Sequence, residues 1–321
     1  MAEIGINHNG DLELAHKMID AAADSGADAI KFQTIDADAS YVPGTPSHKT
    51  FSGAGFNLEQ YKGLVDHARE RKVIFFTTPG DWPSLEIVKA LSLPAVKISS
   101  GQMTNLPVVL ASAALGVPLV ISTGGAYLWE VGRVVHQLEQ RGKHDFALLH
   151  CVSLYPAPDE TLNLTAIRDM QAAFPYPIGY SDHSLGRTAC ISAITLGATL
   201  IEKHFTLDRN LPGGDNFLSS DPKEFATLVR EIRACEAMLG DSGKRPHPNE
   251  DGFRNRMRRR LVANADVETG QILTAELVGI KRPLEPKGLS PEFFETVVGR
   301  RAARAIRRHE PIDWDSITRP E

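Results

Sequence analysis

Two short segments of the sequence each end in a histidine next to charged residues. Ser181-Asp182-His183 and Glu202-Lys203-His204 both complete short apolar runs. If these runs form neighbouring parallel strands, the two imidazoles can bind one divalent ion, with carboxylates nearby to orient them. Two protein nitrogens leave most coordination positions open, so the ion could polarise a substrate carbonyl. The alternative interpretation is a pair of structural histidines.

Two lysines end other apolar runs, and serines and glycines follow close behind. Lys31 ends one run, and Lys97 is followed by Ser99-Ser100-Gly101. Ser122-Thr123-Gly124-Gly125 ends the next run along the chain. Cations, hydroxyl groups and glycine amides together suit a phosphate or a carboxylate. The combination predicts an anionic substrate, although turn geometry and solubility would explain any one of these residues alone.

These residues belong to a repeating pattern of short β-rich apolar segments and amphipathic stretches. Such alternation is typical of parallel strands connected by helices. Eight units predict an α/β fold of the (β/α)8 TIM-barrel type, whose strands all end at the rim that carries the chemistry in such enzymes. The predicted strands are residues 2–7, 29–33, 73–78, 95–99, 119–123, 146–151, 177–181 and 199–204.

The helical pattern ends close to residue 240. Residues 241–255 are predicted to form a linker, because they are rich in glycine, proline, serine and charged residues. Residues 256–321 contain short alternating runs separated by glycines and prolines. They predict a compact domain near the lower size limit for independent folding. The sequence thus predicts a catalytic barrel over residues 1–240 followed by a small C-terminal domain.

The composition excludes several classes of protein. With 42% hydrophobic residues, 23% charged residues and a net charge of -5, the chain lacks the basic surface of a nucleic-acid-binding protein. No apolar run is as long as a membrane span, and no charged-then-apolar leader opens the chain. Cys151, Cys190 and Cys235 lie in apolar stretches without metal-type spacing, which favours reduced, buried thiols. We therefore expect a cytoplasmic protein that binds neither nucleic acid nor membranes.

The ordered motifs resemble those of the N-acetylneuraminate synthase (sialic acid synthase) family over essentially the whole chain. Past the linker, Lys281-Arg282-Pro283, Gly299-Arg300 and Pro311-Ile312 are similar to the antifreeze-like (β-clip) domain of these enzymes. The matching segments of the barrel are residues 2–10, 31–34, 78–79, 97–101, 122–124, 148–151, 155–156, 181–183, 202–205 and 212–215.

The resemblance implies a metal-dependent transferase. Its reaction would condense phosphoenolpyruvate with an N-acetylated sugar aldehyde, giving a sialic-type nonulosonic acid and phosphate. The implied acceptor is N-acetylmannosamine or a 2,4-diacetamido-6-deoxy hexose. The implied ion is Mn²⁺, with Mg²⁺ or Co²⁺ as alternatives, held by His183 and His204. The resemblance also implies a domain-swapped homodimer in which each small domain caps the active site of its partner.

The resemblance assigns roles to further residues, one of which lies in the small domain. Arg282 would reach from the other subunit to the acyl-amino group of the sugar. The implied catalytic residues near the metal and the acceptor are Glu3, Tyr155, Glu202 and Asp215, with Glu202 handling the protons of the attacking water. The implied substrate-binding residues of the barrel are Lys31, Gln33, Thr78, Lys97, Ser100, Ser122, Ser153 and Ser181.

Three positions depart from the usual residues of the family. Gln102 stands where many relatives have a carboxylate, Ser153 where asparagine is frequent, and Asn216 where a histidine often follows the aspartate. The basic run of residues 256–260 covers the position of a usual aromatic residue. Because these differences fall near the implied substrate site, the sequence leaves the acceptor sugar open.

Two other functions are compatible with the same residues. Lys31 or Lys97 could form a Schiff base with a pyruvate-like donor, as in an aldolase, but the two histidines argue against this chemistry. A catalytically silent carbohydrate-binding protein could retain both domains, but the intact histidines and lysines argue against it.

Overall fold

The computed structural model describes residues 1–318. The chain divides after Gly240 into two compact units, which we call the barrel (residues 1–240) and the small unit (residues 241–318). The end of the predicted small domain, residues 319–321, lies outside the described residues.

Eight parallel strands close into a barrel in the order of the sequence. The first strand pairs with the second on one side and with the eighth on the other, which closes the sheet. The predicted (β/α)8 architecture is therefore confirmed. The strands are β1 (Ala2–Gly5), β2 (Ala29–Thr34), β3 (Ile74–Pro79), β4 (Val96–Ile98), β5 (Leu119–Ser122), β6 (Phe146–Cys151), β7 (Ile178–Asp182) and β8 (Ile201–His204).

At least one helix follows every strand, and the longer helices bury an apolar face against the barrel. In the first helix Met18 and Ile19 are buried, and Asp11 caps its start by accepting a hydrogen bond from the N–H of Leu14. No helix of residues 1–318 is long and apolar enough to cross a membrane. The barrel helices are α1 (Leu12–Asp24), α2 (Ala37–Ser40), α3 (Pro46–Phe51), α4 (Leu58–Glu70), α5 (Trp82–Leu91), α6 (Leu106–Ala113), α7 (Leu128–Glu139), α8 (Ala166–Ala173), α9 (Thr188–Thr195) and α10 (Pro222–Leu239).

The interior of the barrel changes from apolar to polar along the strands. Ala29, Phe76, Val120 and Leu149 pack together in a small buried cluster. Side chains alternate between the two faces of a strand, so the residue two positions further on points to the same side. The residues two positions after these four are Lys31, Thr78, Ser122 and Cys151. The amino-terminal part of the interior is thus filled by apolar side chains, and polar groups stand at the carboxyl ends.

The small unit contains α11 (Asp251–Met257), β9 (Arg260–Ala263), β10 (Val278–Lys281) and α12 (Phe294–Val297). The two strands form an antiparallel pair above a core that includes Leu261, Leu273 and Ile312. The predicted linker of residues 241–255 contains the start of α11, because His247 and Glu250 cap the turn that leads into this helix. Outside these two strands, Ile272 forms an isolated β-bridge with Arg301.

Candidate active site

A pocket of about 570 Å³ opens at the carboxyl ends of the barrel strands. Because inward-facing side chains from all eight strands converge at this end, residues far apart in the sequence become neighbours. Predicted site residues that line the pocket are Glu3, Lys31, Gln33, Lys97, Ser100, Ser122, Ser153, Tyr155, Ser181, His183, Glu202, His204 and Asp215.

Two predicted site residues are placed differently. Thr78 is buried and does not line the pocket; its hydroxyl oxygen accepts a hydrogen bond of 3.3 Å from Lys31 Nζ. It therefore orients Lys31 rather than forming the pocket wall. Arg282 belongs to the small unit.

Phe51 and Cys151 also line the pocket, although neither was among the predicted site residues. Cys151 could have been found from strand parity, since it lies two positions after the inward-facing Leu149. Phe51 ends the short helix α3 in the long connection between β2 and β3, where no periodic pattern marks it.

The floor of the pocket holds two lysines and two glutamates, which we call the lysine–glutamate network. Lys31 Nζ lies 2.6 Å from Glu3 Oε2 and 3.9 Å from Glu202 Oε2. Glu202 Oε1 accepts hydrogen bonds from Lys97 Nζ at 3.2 Å and from Ser181 Oγ at 2.9 Å. Each lysine is thus paired with a carboxylate, and an anionic substrate must compete for these ammonium groups.

The two glutamates of the network differ in acidity. Burial raises the pKa of Glu3 above its usual value, even though Lys31 lies beside it. Burial would also raise the pKa of Glu202, but the charges of Lys31 and Lys97 outweigh it and hold that pKa below its usual value. Burial lowers the pKa of Lys97. Neighbouring carboxyl groups with pKa values pushed apart are suited to separate roles in proton transfer.

His183 and His204 face each other with ring centroids 5.3 Å apart. His183 Nδ1 lies 2.7 Å from the carbonyl oxygen of Val152, so this nitrogen donates and Nε2 of the neutral ring has a free lone pair. The buried His204 Nδ1 has no hydrogen-bond partner among the described residues. Burial lowers the pKa of His204, which favours the neutral form that metal ions bind.

The surroundings of this pair fit a divalent ion. Asp215 Oδ2 lies 3.7 Å from His204 Nδ1, and the ring of Tyr155 covers His183 with centroids 4.1 Å apart. Over residues 1–318, no group of three or more His, Cys, Asp or Glu side chains is arranged to hold a metal ion. Two histidine nitrogens by themselves would leave a bound ion further coordination positions for substrate and water.

Gly124 leaves room for a cradle of small polar side chains. A Cβ atom at this position would lie 2.3 Å from Ser153 Oγ, 2.8 Å from Ser100 Oγ and 3.1 Å from Cys151 Sγ. The N–H of Gly124 donates a hydrogen bond of 2.9 Å to Ser100 Oγ. Only glycine allows these three side chains to converge, and together they offer hydrogen-bonding groups to an anionic or hydroxylated substrate.

Asp215 is held in place by the loop that follows β1. Asn7 Oδ1 accepts a hydrogen bond of 2.8 Å from the N–H of Asp215, and Asn7 Nδ2 donates to the carbonyl oxygen of Phe205 and to Ser219 Oγ. Gly214 has a φ of +55°, and a Cβ there would lie 2.5 Å from Asn7 Oδ1. The close approach and the left-handed backbone both require glycine at this position.

Two of the unusual residues have structural partners. Gln102 donates a hydrogen bond of 2.6 Å to the carbonyl oxygen of Gly80 and accepts one of 2.8 Å from Asn105. A carboxylate at this position could not donate the first bond. Asn216 is buried, accepts a hydrogen bond of 2.6 Å from Thr206 Oγ1 and donates to the Gly213 carbonyl oxygen. Both side chains tie active-site loops together, and neither lines the pocket.

The fold and the pocket define a (β/α)8-barrel enzyme whose site combines paired lysines and carboxylates with two facing histidines. The chain belongs to the NeuB family, whose profile matches residues 18–244. The SAF domain profile matches residues 258–318. The predicted family and the predicted antifreeze-like C-terminal domain are confirmed.

Individual relatives agree with this assignment over nearly the whole chain. The spore coat polysaccharide biosynthesis protein SpsE of Bacillus subtilis is 38% identical, over 99% of this chain and 92% of that protein. The N,N'-diacetyllegionaminic acid synthase of Campylobacter jejuni is 36% identical, over 97% of this chain and 98% of that protein. A solved structure of N-acetylneuraminic acid synthetase from Leptospira borgpetersenii is 36% identical with a TM-score of 0.76, over 80% of this chain and 90% of that one. The chain is therefore an enzyme of the N-acetylneuraminate synthase type, as predicted.

Proposed function

We propose that this enzyme condenses phosphoenolpyruvate with an N-acetylated sugar aldehyde, at a divalent ion held by His183 and His204, to form a sialic-type nonulosonic acid and phosphate. The observation that carries the proposal is the convergence in one pocket of two buried lysines, two buried glutamates and two facing histidines. Relatives named as sialic acid and legionaminic acid synthases support the same reaction class.

Phosphoenolpyruvate carries a phosphate and a carboxylate, and both need cations or hydrogen-bond donors. Lys31 and Lys97 supply the charge, while Ser100, Ser122 and Ser181 offer hydroxyl groups at the same end of the barrel. The donor takes over the ammonium groups that pair with Glu3 and Glu202 in the free enzyme. Charge-assisted hydrogen bonds of this kind are about twice as strong as neutral ones.

The sugar aldehyde binds at the histidine end of the pocket, beside Tyr155 and Asp215. When bound, a divalent ion at this pair supplies Lewis-acid polarisation of the aldehyde oxygen. Asp215 and Tyr155 orient the sugar hydroxyl groups around the aldehyde. The half-exposed ring of Tyr155 also restricts access of water to His183.

The reaction needs one carbon–carbon bond to form and one carbon–oxygen bond to break. The methylene carbon of phosphoenolpyruvate attacks the aldehyde carbon, water adds to the cationic C2, and the bond from C2 to the phosphate oxygen then breaks. One proton leaves the water as it adds to C2, and one reaches the aldehyde oxygen. The C2 hydroxyl then passes its proton to the departing phosphate as the C2 ketone forms. Glu202, whose pKa the two lysines hold below its usual value, is placed to accept the first proton. Glu3, whose pKa burial raises, is placed to supply the second once the donor has taken Lys31 from it.

We also propose a homodimer in which the small unit of one subunit covers the pocket of the other, with Arg282 holding the acyl-amino oxygen of the sugar. The segments that follow strands β5 to β8 expose large apolar side chains, of the kind found at interaction surfaces. These residues are Tyr127, Trp129, Leu154, Leu185 and Phe217. In the small unit, Leu284 is fully exposed two residues after Arg282. A cytoplasmic location accords with Cys151, Cys190 and Cys235 being free thiols.

Mixed dimers test this assembly. Mixing His183→Ala subunits with Arg282→Ala subunits should restore activity in up to about a quarter of the sites, because some sites then combine an intact barrel with an intact Arg282. No recovery after verified subunit exchange would contradict a role of Arg282 across the dimer.

The proposed reaction is tested by measuring phosphate release from phosphoenolpyruvate with a panel of sugars. N-Acetylmannosamine and 2,4-diacetamido-6-deoxy hexoses should stimulate release after Mn²⁺ is added, and exhaustive chelation should stop it. Sugar-independent or chelation-resistant release would contradict the proposal.

A Schiff-base aldolase is the second candidate function. One observation favours it: burial lowers the pKa of Lys97, as Schiff-base enzymes require of their lysine. Borohydride treatment in the presence of pyruvate distinguishes the two. Covalent trapping on Lys97 would support the aldolase, whereas the proposed synthase is not trapped.

A further inference from the structure

An ion pair between Asp182 and Lys203 lies behind the two histidines, on the outer side of the barrel. The two residues are direct partners in the register of β7 and β8, and Lys203 Nζ lies 2.7 Å from Asp182 Oδ2. Because side chains alternate along a strand, this pair points away from the pocket that His183 and His204 face. The Asp182 side chain is 0% exposed and that of Lys203 is 2% exposed.

The Asp182–Lys203 ion pair fixes the backbone of Ser184, the residue that follows His183. Asp182 Oδ1 accepts hydrogen bonds from the N–H of Ser184 at 2.9 Å, from Ser184 Oγ at 2.7 Å and from the Tyr180 hydroxyl at 3.1 Å. Lys203 Nζ donates a bond of 2.8 Å to the carbonyl oxygen of Ser184. The thiol of Cys190 on α9 donates to Asp182 Oδ2 at 3.1 Å. Both peptide groups of Ser184 are thus fixed by one ion pair.

Stability alone does not account for this arrangement. The layer between the strands and the helices of a barrel is normally apolar, and replacing a buried ion pair by well-packed apolar side chains is often neutral or stabilising. Here the charged residues are the immediate chain neighbours of the two imidazoles, since Asp182 precedes His183 and Lys203 precedes His204. The pair connects the two strand ends at the level of the rings.

We infer that Asp182 and Lys203 are positioning residues that fix the distance and the relative orientation of the His183 and His204 rings for a divalent ion. The inference rests on the proposed function, because it assumes that these histidines bind the ion. Groups that orient metal ligands from behind commonly change metal affinity by about 10-fold to 100-fold when they are removed.

The test uses the full chain with Asp182→Asn and Lys203→Met combined. Because both charges of the pair are removed together, neither is left buried without its partner. Co²⁺ is titrated in the absence of substrate, and the Kd is measured by calorimetry and by the visible absorption of the bound ion. The Kd should rise by about 10-fold to 100-fold relative to the unchanged enzyme. Restoring the pair in reverse, with Asp182→Lys and Lys203→Asp, should not recover the affinity, because the hydrogen bonds to Ser184 are then lost.

The control is Leu64→Ala, which truncates a fully buried side chain of α4 near β3, across the barrel from β7 and β8. This variant should unfold at a lower temperature and bind Co²⁺ as tightly as the unchanged enzyme. A smaller rise in Kd is expected for Ser184→Ala, which removes one of the hydrogen bonds to Asp182. This single variant decides the question if the double variant does not fold.

An unchanged Kd in the double variant, or in Ser184→Ala where only that variant folds, would overturn the inference and leave the proposed function intact. An equal rise in the Leu64→Ala control would also overturn it, since the effect would then follow general destabilisation. Absence of Co²⁺ binding by the unchanged enzyme, or equal binding by a His183→Ala variant, would overturn the proposed metal site and this inference together.

Discussion

The two ends of the barrel both contain a cavity, but the cavities are lined differently. The pocket at the carboxyl ends holds the lysine–glutamate network and the two histidines. A second cavity of about 260 Å³ lies at the amino-terminal end, where Leu200, Leu228 and Ile232 form part of a largely apolar lining. Strands β2 and β8 contribute residues to both, so the chemistry of each cavity is set by the residues at that end of the strand and not by the barrel itself. Substitutions at the two ends should therefore have separable effects on activity and on stability.

The largest effect should come from the histidine pair. His183→Ala or His204→Ala should abolish phosphate release while the unfolding temperature stays close to that of the unchanged enzyme, since both residues belong to the polar end of the barrel and not to its apolar core. Steady-state kinetics and thermal unfolding measured on the same samples test this. Substantial turnover by either variant would remove the histidines from the mechanism.

A smaller, selective effect is expected at Lys97. Lys97→Met removes a charge-assisted hydrogen bond to the donor, which is worth about 1.5–3 kcal/mol, so the KM for phosphoenolpyruvate should rise about 10-fold to 100-fold. The KM for the sugar should change far less and serves as the internal control. A larger change in the sugar KM would assign Lys97 to the other substrate.

At the opposite end of the barrel, stability should change without activity. Leu228→Ala removes a buried side chain of α10 that lines the apolar cavity, which should lower the free energy of unfolding by about 2–5 kcal/mol. Below the unfolding temperature, kcat/KM should equal that of the unchanged enzyme. Parallel urea unfolding and kinetics would show whether the two ends are in fact coupled.

The smallest predicted effect depends on pH and comes from His8, which follows β1. Its ring stacks on Phe56 with centroids 4.5 Å apart, and burial lowers the pKa of His8 to about 4. The unfolded chain, with a usual pKa of about 6.5, binds this proton more readily. The contribution of His8 to stability is therefore complete above about pH 6.5 and is lost as the pH falls towards about 4.

Between about pH 7 and about pH 5, this residue alone should reduce the free energy of unfolding by about 2 kcal/mol. A His8→Gln variant lacks this titration, so its stability should fall by correspondingly less over the same interval. Urea unfolding of both proteins at the two pH values measures the difference. Parallel pH profiles would show that His8 is protonated equally in the folded and unfolded states.

The sequence predicts the barrel well because its signals are local and repeated. Strand β6 has the predicted bounds, and the other strands differ by a few residues at their ends, where hydrogen bonding rather than hydropathy sets the limits. The convergence of Lys31, Lys97, Glu202 and the histidines follows from the parallel topology once the strands are known.

Features that depend on side-chain direction and packing were not predictable. Strand alternation turns Lys203 away from the pocket, but the sequence does not identify its partners, Asp182 and the carbonyl oxygen of Ser184. The roles of Gln102 and Asn216 as loop ties depend on backbone carbonyl groups of Gly80 and Gly213, which the sequence does not place. The sequence does not predict the helix that begins within the linker, because its apolar pattern is weak.

The central claim is that the enzyme joins phosphoenolpyruvate to a sugar aldehyde with cleavage of the carbon–oxygen bond to phosphate. It is tested most directly with phosphoenolpyruvate that carries ¹⁸O in the bridging position, incubated with Mn²⁺ and the best acceptor from the sugar panel. Mass spectrometry should find the label in the released phosphate and a C2 oxygen derived from water in a nonulosonic acid product. Label retained in the product, or no nonulosonic acid formed with any sugar of the panel, would contradict the account.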